Sequence, residues 1–233
     1  KTFLPKKEKI NKFNLKLIKK HLNKSSRPIF LLGNGINIAQ QSTSIKQIIK
    51  KLKIPTLTTQ LGKAVMEYKN NYFIGHTGPK GDRAGNLAVQ NSDFILILGS
   101  SLHSQTIGWE HDKFSPNSFK LQVDPDKSIL KKNNFINLKI NSDLKTAIKD
   151  LKNIKLKKDF TQWHKKCLKW KKKYQIILEP HVRDKKVLNY YDIVHNISQL
   201  IPENSTIVTD AGAAFYIMGQ AYRIKKKQKY ISP

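Results

Sequence analysis

Glycine turns that directly follow apolar runs are the residues of this 233-residue chain with the clearest capacity for chemistry. The run IFLL at residues 29–32 opens into Gly33-Asn34-Gly35. Such a turn can bring backbone N–H groups close to a phosphate at the start of a helix. The third glycine of the full dinucleotide fingerprint is absent, because Ile38 stands in its place. A phosphate-binding turn and an ordinary tight turn between strand and helix therefore both stay open.

Residues 72–102 extend this pattern of turns. Gly75, Gly78 and Gly81 make residues 72–81 too rich in glycine for a helix interior, and we interpret them as a turn. A helical pattern and the apolar run FILIL follow, and the run ends in Gly99-Ser100. Further along, a run at residues 119–123 ends at Asp124. An acidic residue at the carboxyl end of a strand can hold a ribose hydroxyl.

The chain offers little for metal or disulfide chemistry. Cys167 stands alone, which excludes a disulfide framework and a cysteine metal cluster and fits a reducing cytoplasm. His76, His103 and His111 lack a supporting pattern of carboxylates, and we interpret them as surface or turn histidines. No catalytic and no metal-ligating residue is assigned.

The composition is strongly basic, with a formal net charge of +28. Such a charge can indicate nucleic acid or an anionic membrane as a partner. However, arginine occurs at only four positions, and the lysines are spread over every segment. Phosphate and base readers usually depend on arginine, so we interpret the charge as compositional drift of solvated surfaces and expect neither partner.

The sequence also shows no pattern typical of a targeting signal. There is no run of about 18 apolar residues, so no transmembrane helix is expected. The start, KTFLPKKEK, has no apolar signal core and no initiating Met. We expect a cytoplasmic protein whose chain starts inside a longer polypeptide.

The elements that would position the turns alternate between strand and helix from residue 28 to residue 151. This alternation predicts an α/β fold with a Rossmann-like, doubly wound parallel sheet. The expected strands are 29–32, 54–59, 94–98, 119–123 and 135–140, and the expected helices are 10–22, 44–52, 83–91, 128–132 and 144–151.

The remaining third of the chain has a different sequence pattern. Residues 153–184 carry an amphipathic helix, expected to end at Glu179-Pro180, with one face made of Trp163, Cys167, Trp170 and Tyr174. Such a face can stack bases, but it more often packs on a neighbouring domain, and we favour packing. After residue 185 we expect a helix, a strand at 205–209, a helix at 213–222 and a strand at 230–232.

Several of these motifs together resemble the central domain of thiamine-diphosphate-dependent enzymes, most closely the acetolactate-synthase-like group. The matching residues are Gly75-His76-Thr77-Gly78, Gly85-Asn86-Leu87-Ala88-Val89, Asp93 and Gly99-Ser100, in the order and spacing of that group. Residues 56–63 also match its strand and Gly-Lys turn. The resemblance runs over nearly the whole chain.

The resemblance implies a domain organisation. Residues 1–24 would be a linker helix from a missing pyrimidine-binding domain, and 25–152 the central domain. Residues 153–184 would be a helical linker, and 185–233 the truncated start of the diphosphate-binding domain, including its first βα unit. The family's catalytic glutamate and its Gly-Asp-Gly metal motif have no match, since Gly81-Asp82-Arg83 lacks the third glycine. The chain alone is therefore expected to be inactive.

The resemblance also implies an activity for the parent enzyme, namely decarboxylation and carboligation of 2-keto acids. Its cofactors would be thiamine diphosphate and Mg²⁺, and it would form a homodimer or homotetramer. The diphosphate would meet Gly212, Ala213 and Ala214. Acetolactate synthases also bind FAD in a central groove that here corresponds to Gly33, Gly35, Gly75, Gly78, Gly99, Ser100 and Asp124. Their Asp-Asp-Arg run is replaced by residues 101–105, SLHSQ, which favours a purely structural central domain.

Two other classes of function stay open. The first is a stand-alone FAD- or ADP-binding module without catalysis, which would use the Gly33 and Gly75 turns. The second is a basic RNA-associated protein, whose binding to any polynucleotide would depend steeply on salt.

Overall fold

A computed structural model describes residues 13–184 and 186–232. Its centre is a six-stranded sheet in the order β3-β2-β1-β4-β5-β6, and all neighbouring strands pair in parallel. The strands are β1 (Pro28–Leu32), β2 (Thr56–Thr58), β3 (Phe73–His76), β4 (Phe94–Leu98), β5 (Phe119–Asp124) and β6 (Leu138–Asn141). This sheet confirms the predicted doubly wound α/β fold.

Helices cover both faces of the sheet because its central strands are apolar on both sides. In β1, Phe30 and Leu32 belong to one hydrophobic cluster, whereas Ile29 and Leu31 belong to the other, as the two-residue period of a strand requires. The helices of this part of the chain are α1 (Leu15–Lys24), α2 (Gly35–Ile38), α3 (Ser42–Leu52), α4 (Arg83–Gln90), α5 (Ser104–Ile107), α6 (Lys127–Lys132) and α7 (Leu144–Leu151).

The chain from residue 153 onward adds a linker and a small second unit. The unit has a two-stranded parallel sheet that shares a hydrophobic cluster with two of its helices. The elements are α8 (Thr161–Lys173), α9 (Pro180–Arg183), α10 (Tyr190–Leu200), β7 (Thr206–Val208), α11 (Ala213–Ala221) and β8 (Lys229–Ile231). None of the helices in the described residues is long and apolar enough to cross a membrane.

The linker helix α8 docks on the central sheet through its aromatic face, which confirms the predicted packing. Trp163 Nε1 donates a hydrogen bond of 3.0 Å to the Pro28 carbonyl, and Trp163 meets Trp170 edge to face. Cys167 is fully buried in the same cluster, and burial raises the pKa of its thiol.

Some predicted boundaries are wrong. The first helix begins at Leu15 rather than before Phe13, because the Asn14 side chain accepts hydrogen bonds from the Lys16 and Leu17 amides as a cap. Residues 10–12 of that prediction lie outside the described residues. The last central strand starts at Leu138 instead of residue 135, and α8 ends at Lys173, before Glu179-Pro180.

Candidate functional site

The two glycine turns that end β1 and β4 lie against each other at the centre of the sheet. The chain leaves these neighbouring strands toward opposite edges, and such a switch point opens a crevice at the carboxyl ends of the strands. Gly33 N donates to Leu98 O at 2.9 Å, and Gly35 N donates to Gly99 O at 3.0 Å. A Cβ atom on Gly33 would lie only 2.1 Å from Gly99 O, so the contact requires glycine.

A cavity of about 1060 Å³ opens over this crevice. This volume is large enough for a cofactor-sized ligand. Its walls come from the carboxyl ends of four central strands and from α11, which closes the cavity from the second unit. The principal lining residues are Asn34, Gly35, Thr59, Gln60, Gly99, Ser100, Asp124, Gly212, Phe215 and Tyr216. The structure therefore brings Gly35, Gly99, Ser100, Asp124 and Gly212 of the predicted site to one cavity.

Asp124 is the last residue of β5 and lies in the cavity wall. Burial raises the pKa of its carboxyl group, while the Asp126 amide donates to it at 2.9 Å. Ser100 lies beside it on a fixed turn, because Gln122 Nε2 donates to Ser100 O at 2.8 Å and the Ser100 hydroxyl accepts from Leu102 N at 3.2 Å. A role of either residue in holding FAD or ADP stays a prediction.

Gly75 and Gly78 do not line this cavity. Gly75 lies within strand β3, so the predicted turn at residues 72–81 is wrong over its first half. The space of the missing Gly75 side chain is taken by Asp82 Oδ2, which would lie 2.7 Å from an added Cβ. Gly78 lies in the following turn, where a Cβ would meet Gln105 O at 2.1 Å and the Asn86 amide bonds both Gly78 N and Gly78 O.

The start of α11 is open and has no side-chain cap. Gly212 precedes the helix with φ +75°, a left-handed conformation that favours glycine, and open space surrounds its α-carbon. Ala213 and Ala214 are exposed beside it but lie outside the cavity lining. Backbone N–H groups at such a start can hold an anion, so these residues fit a diphosphate. In the described part of the chain, no group of three or more His, Cys, Asp and Glu residues could hold a metal ion.

His76 is a buried strand residue, which corrects its interpretation as a surface or turn histidine. It is 3% exposed, with Nδ1 2.6 Å from Thr58 Oγ1 and Nε2 3.0 Å from Lys63 Nζ. Burial, with the charges of Lys63 and Arg223, lowers its pKa well below the usual value. His103 caps α5 and His111 is exposed, as expected of turn and surface residues.

Lys63 and Gln60 are the residues of this region that the sequence analysis missed. Lys63 is 3% exposed, although lysine is among the residues least often buried. Its position in the family-like Gly-Lys turn after β2 was the only signal in the sequence, and the abundance of lysine elsewhere hid it.

A comparison with protein families shows which family the chain belongs to. Residues 15–151 match the family described as "Thiamine pyrophosphate enzyme, central domain", which is more than half of the chain. The chain belongs to the thiamine pyrophosphate enzyme family. Its six-stranded sheet is the central domain of that family.

Curated relatives agree with this membership. The acetolactate synthase large subunit of Cyanidium caldarium is 31% identical over 201 residues, which cover 83% of this chain and 34% of the relative. The acetolactate synthase large subunit of Lactococcus lactis is 27% identical over 226 residues, covering 97% of this chain and 39% of the relative. The probable acetolactate synthase large subunit of Methanocaldococcus jannaschii is 24% identical over 225 residues, covering 94% of this chain and 38% of the relative.

The similarity therefore extends beyond the central domain into the second unit. The chain spans between a third and two fifths of the length of these relatives.

Proposed function

We propose that this thiamine pyrophosphate enzyme chain contributes to an acetolactate-synthase-like activity, in which 2-keto acids are decarboxylated and joined. The observation that carries this proposal is the shared cavity. The Gly212 turn, which would hold the cofactor diphosphate, and the switch-point turns of the central domain line the same space. The relatives named acetolactate synthase large subunit support the choice of reaction.

The chain's own residues would bind the cofactor rather than react with it. The backbone N–H groups of Gly212, Ala213 and Ala214 would hold the diphosphate, since no side chain caps this end of α11. When bound, thiamine diphosphate supplies an electron sink for breaking a carbon–carbon bond next to a carbonyl group. Phe215 and Tyr216 would reduce access of water to the cavity from the side of α11.

We further propose that the activity needs polypeptide outside this chain. No residue here matches the family's catalytic glutamate, and the described residues offer no set of Mg²⁺ ligands. Residues 25–152 would form the central domain, 153–184 the linker and 185–233 the opening of the diphosphate-binding domain. A homodimer or homotetramer of the full-length enzyme would bring the missing groups to the cavity.

An assay for acetolactate tests this proposal. The protein is purified natively, together with the polypeptides that accompany it, and is incubated with pyruvate, thiamine diphosphate and Mg²⁺. We expect acetolactate to form and to require both additions. If the protein binds the cofactor but consumes neither pyruvate nor another 2-keto acid, the proposed reaction is wrong.

A further inference from the structure

We propose that Gln60 and Lys63 are positioning residues that hold α11, and with it the Gly212 turn, at a fixed place on the central domain. This inference rests on the proposed function, because it concerns the helix that would bind the cofactor diphosphate. Lys63 does not line the cavity, and Gln60, which does, uses its side-chain amide to bond α11.

The two side chains hold α11 at two points on one face. Gln60 Nε2 donates to Phe215 O at 3.0 Å, and Lys63 Nζ donates to Gly219 O at 2.5 Å. The two acceptors are four residues apart, which places them one above the other on the helix surface. Two such contacts from one turn determine both the position of the helix and its rotation about its axis.

Gly219 allows this close approach. A Cβ atom at this position would lie 2.0 Å from Gln60 Nε2 and 2.5 Å from Gln60 Oε1. A glycine in the interior of a helix costs about 1 kcal/mol of stability relative to alanine. A side chain at residue 219 would therefore displace the end of the Gln60 side chain from its hydrogen bond with Phe215 O.

Lys63 is itself held by a buried hydrogen-bonded chain. A hydrogen bond of 3.0 Å joins its Nζ to His76 Nε2, and His76 Nδ1 lies 2.6 Å from Thr58 Oγ1. The His76 amide donates to Asp82 Oδ2 at 2.8 Å, which ties the chain to the start of α4. The turn that holds α11 is thus anchored in β2 and β3 of the central sheet.

Burial favours the neutral form of Lys63. It has no carboxylate within 4 Å among the described residues. Burial and the charge of Arg223, which follows α11, lower the pKa of Lys63 to about 7, against the opposing charge of Asp82. Lys171 of α8 faces His76 and Asp82 and adds positive charge to the same cluster. Because a released Lys63 would take up a proton that the docked side chain does not hold, its contribution to holding α11 should decrease as the pH falls toward 7.

Amide hydrogen exchange of α11 tests the contacts directly. In Lys63→Met and Gln60→Ala we expect residues 213–221 to exchange at least tenfold faster than in the unmodified protein, whereas β1 and β4 keep their protection. Lys69→Met, an exposed lysine of the same loop, is the matched control and should change nothing. Unchanged exchange in α11, or equal acceleration in the central strands, would overturn the proposal.

Gly219→Ala gives a second test that does not remove a buried group. Helix propensity alone predicts slower exchange of α11 in this variant. Displacement of the Gln60 amide predicts faster exchange, and adding Gly219→Ala to Gln60→Ala should then cause no further acceleration. Slower exchange in the single variant would contradict the close contact.

The pH dependence of exchange and the affinity for the cofactor distinguish a positioning role of Lys63 from a role in general stability. Protection of α11, corrected for intrinsic exchange rates, should increase from pH 7 to pH 8.5, and the increase should be smaller in Lys63→Met. The Kd for thiamine diphosphate should rise at least tenfold in Lys63→Met and not in Lys69→Met. Faster exchange of α11 with an unchanged Kd would overturn the positioning role. If the unmodified protein binds no thiamine diphosphate, the proposed function is wrong. The exchange experiment still tests the contacts with α11 in that case.

Discussion

Lys63, which helps to connect the two units of this protein, belongs to a cluster of buried titratable groups rather than to the conspicuous glycine turns. Lys63 and His76 share a hydrogen bond in the interior, and Asp82 fills the space of the missing Gly75 side chain. The density of glycines predicted a turn rather than a strand at residues 73–76. The strand's packing is completed by the Asp82 side chain, which lies six residues beyond its end and leaves no local signal. Nothing in the spacing of residues distinguished Lys63 from the other lysines.

The first expectation at this scale concerns pH. The pKa of Lys63 is about 7 in the folded protein against 10.5 for the free side chain, so unfolding takes up a proton between these values. Stability should therefore rise with pH through this window. From pH 7 to pH 9 we expect a gain of about 2 kcal/mol relative to Lys63→Met, measured by urea unfolding. Parallel pH profiles in the two proteins would show that Lys63 keeps an ordinary pKa.

Asp93 supports the second expectation at the residue scale. Its carboxylate accepts from Ser26 N at 2.8 Å and Arg27 N at 3.0 Å, and also from the Ser25 hydroxyl, so it holds the entry into β1. Asp93→Ala should lower the free energy of unfolding by about 2–3 kcal/mol, because several donors lose their partner. Chemical denaturation measures the loss.

Asp112→Ala is the control for Asp93, since Asp112 is exposed in a surface turn. Its effect should stay within about 0.5 kcal/mol. Equal effects of the two substitutions would show that the Asp93 hydrogen bonds contribute nothing specific.

At the scale of elements, the turns that follow β1 and β4 were predictable and their meeting was not. Apolar runs bounded by glycine indicated strands buried on both faces, and the observed strands agree closely. The sequence also indicated α11 and the Gly212 turn before it. The order of the strands, which places Gly33 against Gly99, depends on long-range pairing that local patterns do not contain.

The Gly212 turn provides the expectation at this scale. Gly212→Ala forces a side chain into φ +75°, which costs about 1–2 kcal/mol and shifts the N–H groups at the start of α11. We expect the Kd for thiamine diphosphate to rise at least tenfold, as measured by calorimetric titration.

Gly108→Ala is the matched control for this turn. Gly108 also has a positive φ, +87°, and open space around it, but it lies outside the cavity lining. It should lose similar folding stability and keep the same Kd. An equal loss of cofactor binding in both variants would mean that Gly212 acts only through folding.

At the scale of the whole molecule, the central sheet and the second unit line one cavity, and the helix α8 between them in the chain packs on the sheet. The doubly wound fold and the packing of α8 followed from alternation and from one aromatic face, and both are confirmed. The contacts that close the cavity could not be predicted from the sequence, because Gln60 and Phe215 are separated by 155 residues. Side chains that join distant segments leave no periodic pattern.

The linker docking gives the expectation at this scale. Trp163→Phe keeps an aromatic ring but leaves the Pro28 carbonyl without its indole donor, so unfolding free energy should fall by about 1–3 kcal/mol. Trp109→Phe is the control, since Trp109 is 72% exposed and should change little. Equal thermal stabilities for the two variants would argue against α8 as part of the folded core.

The measurement that tests the central claim most directly is a binding titration of the natively purified protein with thiamine diphosphate in the presence of Mg²⁺. We expect saturable binding, and at least tenfold weaker binding of thiamine monophosphate, because the N–H groups at the start of α11 favour the second phosphate. Absence of binding, or equal affinity for the two compounds, would contradict a diphosphate site at Gly212 and with it the proposed activity.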